Sequence, residues 1–254
     1  MRVLLLDIGN TRLKWALAQG SDIRFGAALV HAAPDFLAQL ARSLGTLACI
    51  DAVWIADVRR SASGLGAALW VQNHFGTLPR YASTSATFEG IQNAYSDPQQ
   101  LGVDRWLAMI GARKQGVAQL IVDAGSALTL DALAADGRHL GGMIFPGADM
   151  LRRALLRDTA QVQVLAELRY RPTPQTALGE DTRTCVEVAI NSAAVALIDR
   201  ATADLRQVLG AELELWITGG DGEPLRSALA DPWHYDELLV LRGLHRVAQS
   251  SEST

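Results

Sequence analysis

Apolar positions change period several times along the chain. Val3 to Leu6 form an unbroken apolar run, short enough for a buried strand. Past Gly9, Asn10 and Thr11, residues Leu13, Trp15 and Leu17 alternate along one face, which predicts a hairpin with the first strand. Residues 23–30 (IRFGAALV) read as a third strand. After Pro34 the period lengthens, and Phe36, Leu37, Leu40 and Leu44 share a helical stripe. DAVWIADV (51–58) is a core strand, and SGLGAALWVQNHFG (63–76) a helix. Residues 81–100 are polar and punctuated, as binding loops are. Helical spacing returns in LGVDRWLAMIGARKQG (101–116), with Leu107, Met109 and Ile110 facing inward.

The second half begins as the first does. In QLIVDAGSALTLDAL (119–133), Asp123, Gly125 and Ser126 fall at one constant offset from Asp7, Gly9 and Asn10. Each set follows an apolar strand and precedes an alternating one, so the chain reads as two related α/β halves, 1–115 and 116–254. DGRHLGGMIFPG (136–147) reads as a tight turn and a glycine-rich loop, and LRRALLRDTAQV (151–162) as a helix. RYRPTPQTALGED (169–181) is a loop, and 182–210 a long helical region with room for one break. LELWITGGDGEPLRSAL (213–229) gives strand, glycine turn and helix. YDELLVLRGLHRVAQ closes the fold before a frayed SEST tail.

Composition narrows the class. The 254 residues are 49% hydrophobic, enough for a sizeable core. A net charge of -4 without a long basic run argues against a nucleic-acid partner. Cys49 and Cys185 form neither a disulfide framework nor a metal cluster, and suit a reducing compartment. Asp7 interrupts the N-terminal apolar run, and no signal peptide or membrane span is expected. The expectation is a soluble cytoplasmic protein.

Three strand ends carry DIGNT, DAGSA and TGGDG. Such turns expose backbone N–H groups that can hold phosphate oxygens. Asp7 and Asp123 would repel phosphate directly, but either can hold Mg²⁺, its waters or another cation that bridges to phosphate. Carboxylates at matching strand ends therefore suggest a cleft between the halves with a nucleotide inside. The phosphate-loop pattern GxxxxGK[ST] is absent, and GLGAAL is an incomplete and misplaced dinucleotide fingerprint. The histidines His31, His74, His139, His234 and His245 have no zinc spacing and read as surface or loop residues. Lys14 faces either phosphate or solvent.

Several segments resemble the type III pantothenate kinase family, within the acetate/sugar kinase–Hsp70–actin superfamily. Asp7, Gly9, Asn10, Thr11 and Lys14 match its first phosphate motif. Asn93, Ala94, Tyr95, Pro98, Leu101, Gly102, Asp104 and Arg105 match its most specific motif. DAGSALTLD (Asp123–Asp131) is similar to the second phosphate motif, and Gly141, Gly142, Ile144, Pro146 and Gly147 match the next. GEDTRTC (179–185) matches less closely a loop that bears a threonine, and the TGGD turn also fits.

The resemblance implies two ribonuclease H-like domains and ATP-dependent phosphorylation of pantothenate at its primary hydroxyl, the first step toward coenzyme A. It implies Asp104 as general base, with Asn93, Tyr95, Gly102, Val103 and Arg105 on the pantothenate side. Thr182 joins that pocket, across a homodimer interface, or simply caps a helix. Asp7 belongs to the Mg²⁺–phosphate system, and Gly9, Asn10, Thr11, Arg12, Leu13 and Lys14 to the ATP phosphates. Asp123 serves potassium or ammonium, and Gly125, Ser126 and Thr129 line the phosphate path. Gly219, Gly220 and Asp221 lie toward the base or ribose. Ser126 replaces the family's usual threonine, Asp57, Arg59 and Arg60 stand where small residues and proline are common, and Val188 stands where glycine is frequent. Alternative readings are a related kinase of another small hydroxylated substrate, a non-catalytic nucleotide-binding regulator, and an actin-like or chaperone-like ATPase.

Overall fold

The computed structural model describes residues 1–58, 62–158, 178–210 and 212–252. Two compact units emerge. One comprises Met1–Glu89, Tyr95–Ala112 and Leu238–Thr254, and the other Gly90–Ala94 and Arg113–Glu237. A single cut at 115/116 would put the last helix in the second unit, whereas its packing puts it in the first.

In the first unit, β1 (Arg2–Ile8), β2 (Arg12–Gln19), β3 (Asp22–Val30), α1 (Phe36–Leu44), β4 (Ala52–Asp57), α2 (Ala62–Phe75) and β5 (Arg80–Tyr81) follow in sequence. Their sheet has the order β3-β2-β1-β4-β5. β1 is antiparallel to β2 and parallel to β4. The hairpin expected around Gly9–Thr11 is thus present. Central β1 is buried on both faces, which explains its unbroken apolar run. Leu4, Leu6, Ile8, Leu13 and Trp15 meet Phe36, Leu40 and Leu44 of α1 and Ala67 and Val71 of α2. Phe36, Leu40 and Leu44 recur every four residues and share one face. Leu37, expected in that stripe, is 46% exposed.

The polar stretch carries only the two-residue strands β6 (Thr87–Phe88) and β7 (Ile91–Gln92) and a 3₁₀ turn over Pro98–Gln100, capped by the Asp97 carboxylate on Gln99 N–H. Then α3 (Val103–Ala112) is buried nearly all round, including Leu107, Met109 and Ile110.

The second unit repeats the scheme. β8 (Ala118–Ala124), β9 (Ala127–Leu133), β10 (His139–Pro146), α4 (Ala148–Asp158), α5 (Thr182–Leu209), β11 (Leu213–Thr218), α6 (Gly222–Arg226) and β12 (His234–Tyr235) follow. Its sheet order is β10-β9-β8-β11-β12, with β8 antiparallel to β9 and parallel to β11. Pairing directions match the first sheet throughout, so the architecture is α/β with a duplicated mixed sheet. The constant offset ends inside the turn. Ile8 pairs with Leu13 but Ala124 with Leu128, so the second hairpin is one residue shorter. Lys14 therefore corresponds to Thr129, the partner of Asp123.

Three local expectations are corrected. HLGGMIFP is edge strand β10, not a loop, because Met143, Ile144 and Phe145 extend along β9 and a bulge between His139 and Gly141 absorbs the glycines. α5 runs unbroken for 28 residues, with Ile190, Ala194, Ile198 and Ala201 spaced to cover the sheet face of Leu120, Val122 and Leu215. The final helix α7 (Leu239–Glu252) continues through Ser251, so the tail is not frayed there. Residues 169–177, expected as a loop, and Arg59 and Arg60 lie outside the described residues.

α7 packs on α3 at close range. A Cβ on Gly243 would overlap the Leu107 carbonyl, and one on Gly111 the Leu239 carbonyl. Among the described residues, no helix is long and apolar enough to cross a membrane.

Candidate active site

In the first unit, β1 delivers Asp7 to its last turn-facing position. Asp7 is buried, at 9% exposure, with Lys14 as its cross-strand neighbour on β2. Gly9 N–H donates to Arg12 O at 3.0 Å and closes the turn, leaving Asn10 and Thr11 exposed at its tip. Leu13 is fully buried in the core, so its role there is packing. Arg12 and Lys14 are half-buried. His31, just beyond β3, braces this turn. Its Nε2 donates to Gly9 O at 3.1 Å, and its backbone N–H donates to Thr11 O at 3.1 Å. Sequence reasoning gave His31 no such part; the signal available was its place directly after the strand paired with β2.

The first turn of α3 carries the second group. Asp104 Oδ1 accepts Arg105 N–H at 2.8 Å, and Gly102 O accepts Trp106 N–H at 3.0 Å. A Cβ on Gly102 would lie 2.6 Å from Asp104 Oδ1, so the glycine provides the space that the carboxylate occupies. The helix N-terminus favours the ionised carboxylate. Arg105 is only 5% exposed. Its Nη1 donates to Tyr95 Oη at 3.1 Å, and its guanidinium carbon lies 5.9 Å from the Tyr95 ring centroid. Tyr95, Gly102, Val103, Asp104 and Arg105 are thus one local constellation.

In the second unit, three motifs converge on one turn. Gly125 N–H donates to Ala127 O at 3.0 Å. Gly147 N–H donates to Ser126 O at 3.2 Å, and Asp221 N–H to Ala124 O at 3.0 Å. Gly219 has φ +93°, and a Cβ there would lie 2.5 Å from Asp123 Oδ1. Parallel pairing of Thr218 with Asp123 sets this approach. Asp221 stands at the N-cap position of α6, and Gly220 is exposed beside it. Asp123, Gly125, Ser126, Thr129, Gly219, Gly220 and Asp221 are therefore neighbours, as are the ends of parallel strands that open toward ligands in other α/β sheets.

Thr182 is exposed at the first residue of α5. It is not the cap. Asp181 takes that place, its Oδ1 accepting Thr184 N–H at 2.9 Å while Thr184 Oγ1 accepts Asp181 N–H. The Thr184 backbone bond holds the Asp181 carboxyl below its ordinary 3.8. A depressed carboxylate stabilises the fold above its unfolded value, and that contribution is lost as pH falls through the folded value. Asp181→Ala should lower the melting temperature at pH 7, and the gap to the parent chain should narrow as the pH falls past the ordinary carboxylate value of 3.8. Circular-dichroism melts across that range would check it.

His139 and His245 are buried rather than superficial, at 4% and 6% exposure. His139 Nε2 lies 3.0 Å from Asp131 Oδ1. Among the described residues, no three His, Cys, Asp or Glu side chains gather to bind a metal.

A sequence model of the type III pantothenate kinase family matches residues 3–204. Type III pantothenate kinases from Nitrosococcus oceani and Aromatoleum aromaticum are 34% and 36% identical to the chain. The first alignment covers 98% of this chain and 94% of the relative, the second 97% and 98%. Among solved structures, a protein described as a Baf family transcriptional activator from Campylobacter jejuni superposes with a TM-score of 0.61 at 21% identity, covering 99% of this chain and 100% of the other. A protein described as a 2-dehydro-3-deoxygalactonokinase from Sinorhizobium meliloti gives 0.59 at 15% identity, over 98% and 99%. These two speak for the fold alone, a duplicated α/β sheet. With a family match over most of its length and relatives of this identity along nearly all of it, the chain belongs to the type III pantothenate kinase family.

Proposed function

We propose that this protein transfers the γ-phosphoryl group of ATP to the primary hydroxyl of pantothenate, with Asp104 as the general base. Family membership supports the reaction. The observation that carries the assignment of roles is the built first turn of α3, where Gly102 leaves room for a carboxylate oriented by Arg105 N–H. Asp104 accepts the hydroxyl proton as the oxygen attacks phosphorus. Arg105, held by Tyr95, presents a planar guanidinium fork whose shape matches the pantothenate carboxylate. Asn93, Val103 and Thr182 complete the pantothenate side.

The Gly9–Thr11 turn, with Arg12 and Lys14, holds phosphate oxygens, and the Gly125–Ser126 turn and Thr129 hold others. Ser126 keeps the hydroxyl that the family's usual threonine would supply. Gly219, Gly220 and Asp221 take the nucleoside end. Asp7, a single buried carboxylate beside a turn with exposed polar residues, fits Mg²⁺ held mainly by water and phosphate. When bound, Mg²⁺ neutralises charge on the transferring group. Asp123, half-buried at its strand end beside Gly219, would serve potassium or ammonium through its carboxylate. A cytoplasmic homodimer is part of the same proposal. Exposed Met143 and Ile144 on edge strand β10, at 49% and 67%, support a self-association surface.

Purified protein with ATP, Mg²⁺, potassium or ammonium, and pantothenate should yield a product heavier by one phosphoryl group in mass spectrometry. Product from pantothenate but none from ATP alone supports the reading; ATP binding without transfer under every cation refutes it and favours a regulator. Gly102→Ala should lower kcat by about 100-fold, since a methyl group displaces the Asp104 carboxylate. Steady-state kinetics with unchanged ATP affinity would confirm that the damage is local.

A further inference from the structure

A buried polar chain in the second unit leads from the sheet to the segment bearing Asn93. His139 is the first residue of β10, where the bulge before Gly141 re-aims the strand. Its side chain is 0% exposed and that of Asp131 4%. His139 Nδ1 lies 3.4 Å from Ala94 N, and Nε2 lies 3.0 Å from Asp131 Oδ1.

The partners fix the tautomer. Ala94 N–H can only donate, so Nδ1 is the acceptor and carries no proton. Nε2 then carries the proton and donates to Asp131. The segment before Ala94 is already aligned with the start of β10. Gln92 N–H donates to Gly137 O at 3.0 Å, and Gln92 bridges Arg138 in parallel. The next inward amide of that ladder, Ala94 N–H, meets the imidazole.

We propose that His139, oriented by Asp131, is a positioning residue for pantothenate binding. It fixes Ala94 and, with it, the adjoining backbone of Asn93, the residue proposed on the pantothenate side. A histidine spent only on filling the core would need no acceptor facing a main-chain amide. The role rests on the pantothenate kinase reading, and its test is built to separate the two.

His139→Phe keeps a ring and removes the acceptor. His139→Asn places an amide oxygen near the Nδ1 position and restores it. KM for pantothenate should rise about tenfold in the phenylalanine variant, the scale of one lost oriented hydrogen bond. KM for ATP should stay within about twofold. The asparagine variant should recover most of the loss. Backbone amide exchange at Ala94, read by NMR, should be slow in the parent and in His139→Asn and fast in His139→Phe. Equal rises in both KM values, no rise in either, or an asparagine variant no better than phenylalanine would overturn the role. If the parent chain does not phosphorylate pantothenate, the functional reading fails by itself, and the positioning role for pantothenate falls with it. Ala94 exchange still decides the tether, which unchanged exchange in His139→Phe refutes.

Discussion

Asp104→Asn is expected to lower kcat by about 1000-fold while leaving ATP affinity within about twofold, the scale on which a positioned general base acts. The replacement is nearly isosteric. Its amide oxygen can still accept Arg105 N–H, the 2.8 Å bond that orients the carboxylate, so the start of α3 keeps its shape. What disappears is an oxygen basic enough to take the hydroxyl proton. Single-turnover phosphorylation measured beside calorimetric ATP titration would separate the two effects. Turnover equal to that of the parent chain would defeat the assignment, and parallel loss of ATP binding would point to a nucleotide-side role for Asp104.

The second large effect lies less than one helical turn from Asp104, where α7 meets Leu107. Gly243→Val on α7 should cost about 3 kcal/mol, roughly 6–12 °C in Tm. At this crossing a side chain meets main chain rather than a movable rotamer, since the Leu107 carbonyl occupies the place of a Cβ. The helices must separate, and α3 carries Asp104 and Arg105. Gly243→Val should therefore also reduce kcat, unlike a substitution of comparable cost under α1. Thermal melts and kinetics on Gly243→Val and Leu40→Ala, matched for destabilisation, would test that coupling.

Central strands, the main helices and the duplication were legible because each rests on a local period. Leu4–Leu6 and the alternating Leu13, Trp15 and Leu17 needed no tertiary information. Asp7 and Asp123 were legible as strand-end carboxylates because the same turn chemistry recurs after the same kind of strand. β10 was hidden by Gly141 and Gly142, whose effect depends on a bulge that only pairing with β9 creates. The one-residue difference between the two hairpins was hidden too, since spacing alone cannot tell where a turn stops and a ladder resumes. His31 and His139 were missed as supports because each acts on a main-chain atom at least 20 residues away. Such bonds leave no signature in local composition. Thr182 stood next to a capping position rather than in it, a distinction set by the backbone angles of Asp181.

The return of residues 238–252 to the first unit also bears on biosynthesis. A chain leaving the ribosome presents nearly the whole second unit before the partner of the helix bearing Asp104 has been translated. Until Leu239 and Gly243 emerge, the side of that helix bearing Gly111 and Leu107 stays uncovered. Asp104 is therefore set in place only late in synthesis, and a nascent polypeptide stalled near residue 237 should lack phosphotransfer even with the Gly9 and Gly125 turns already made.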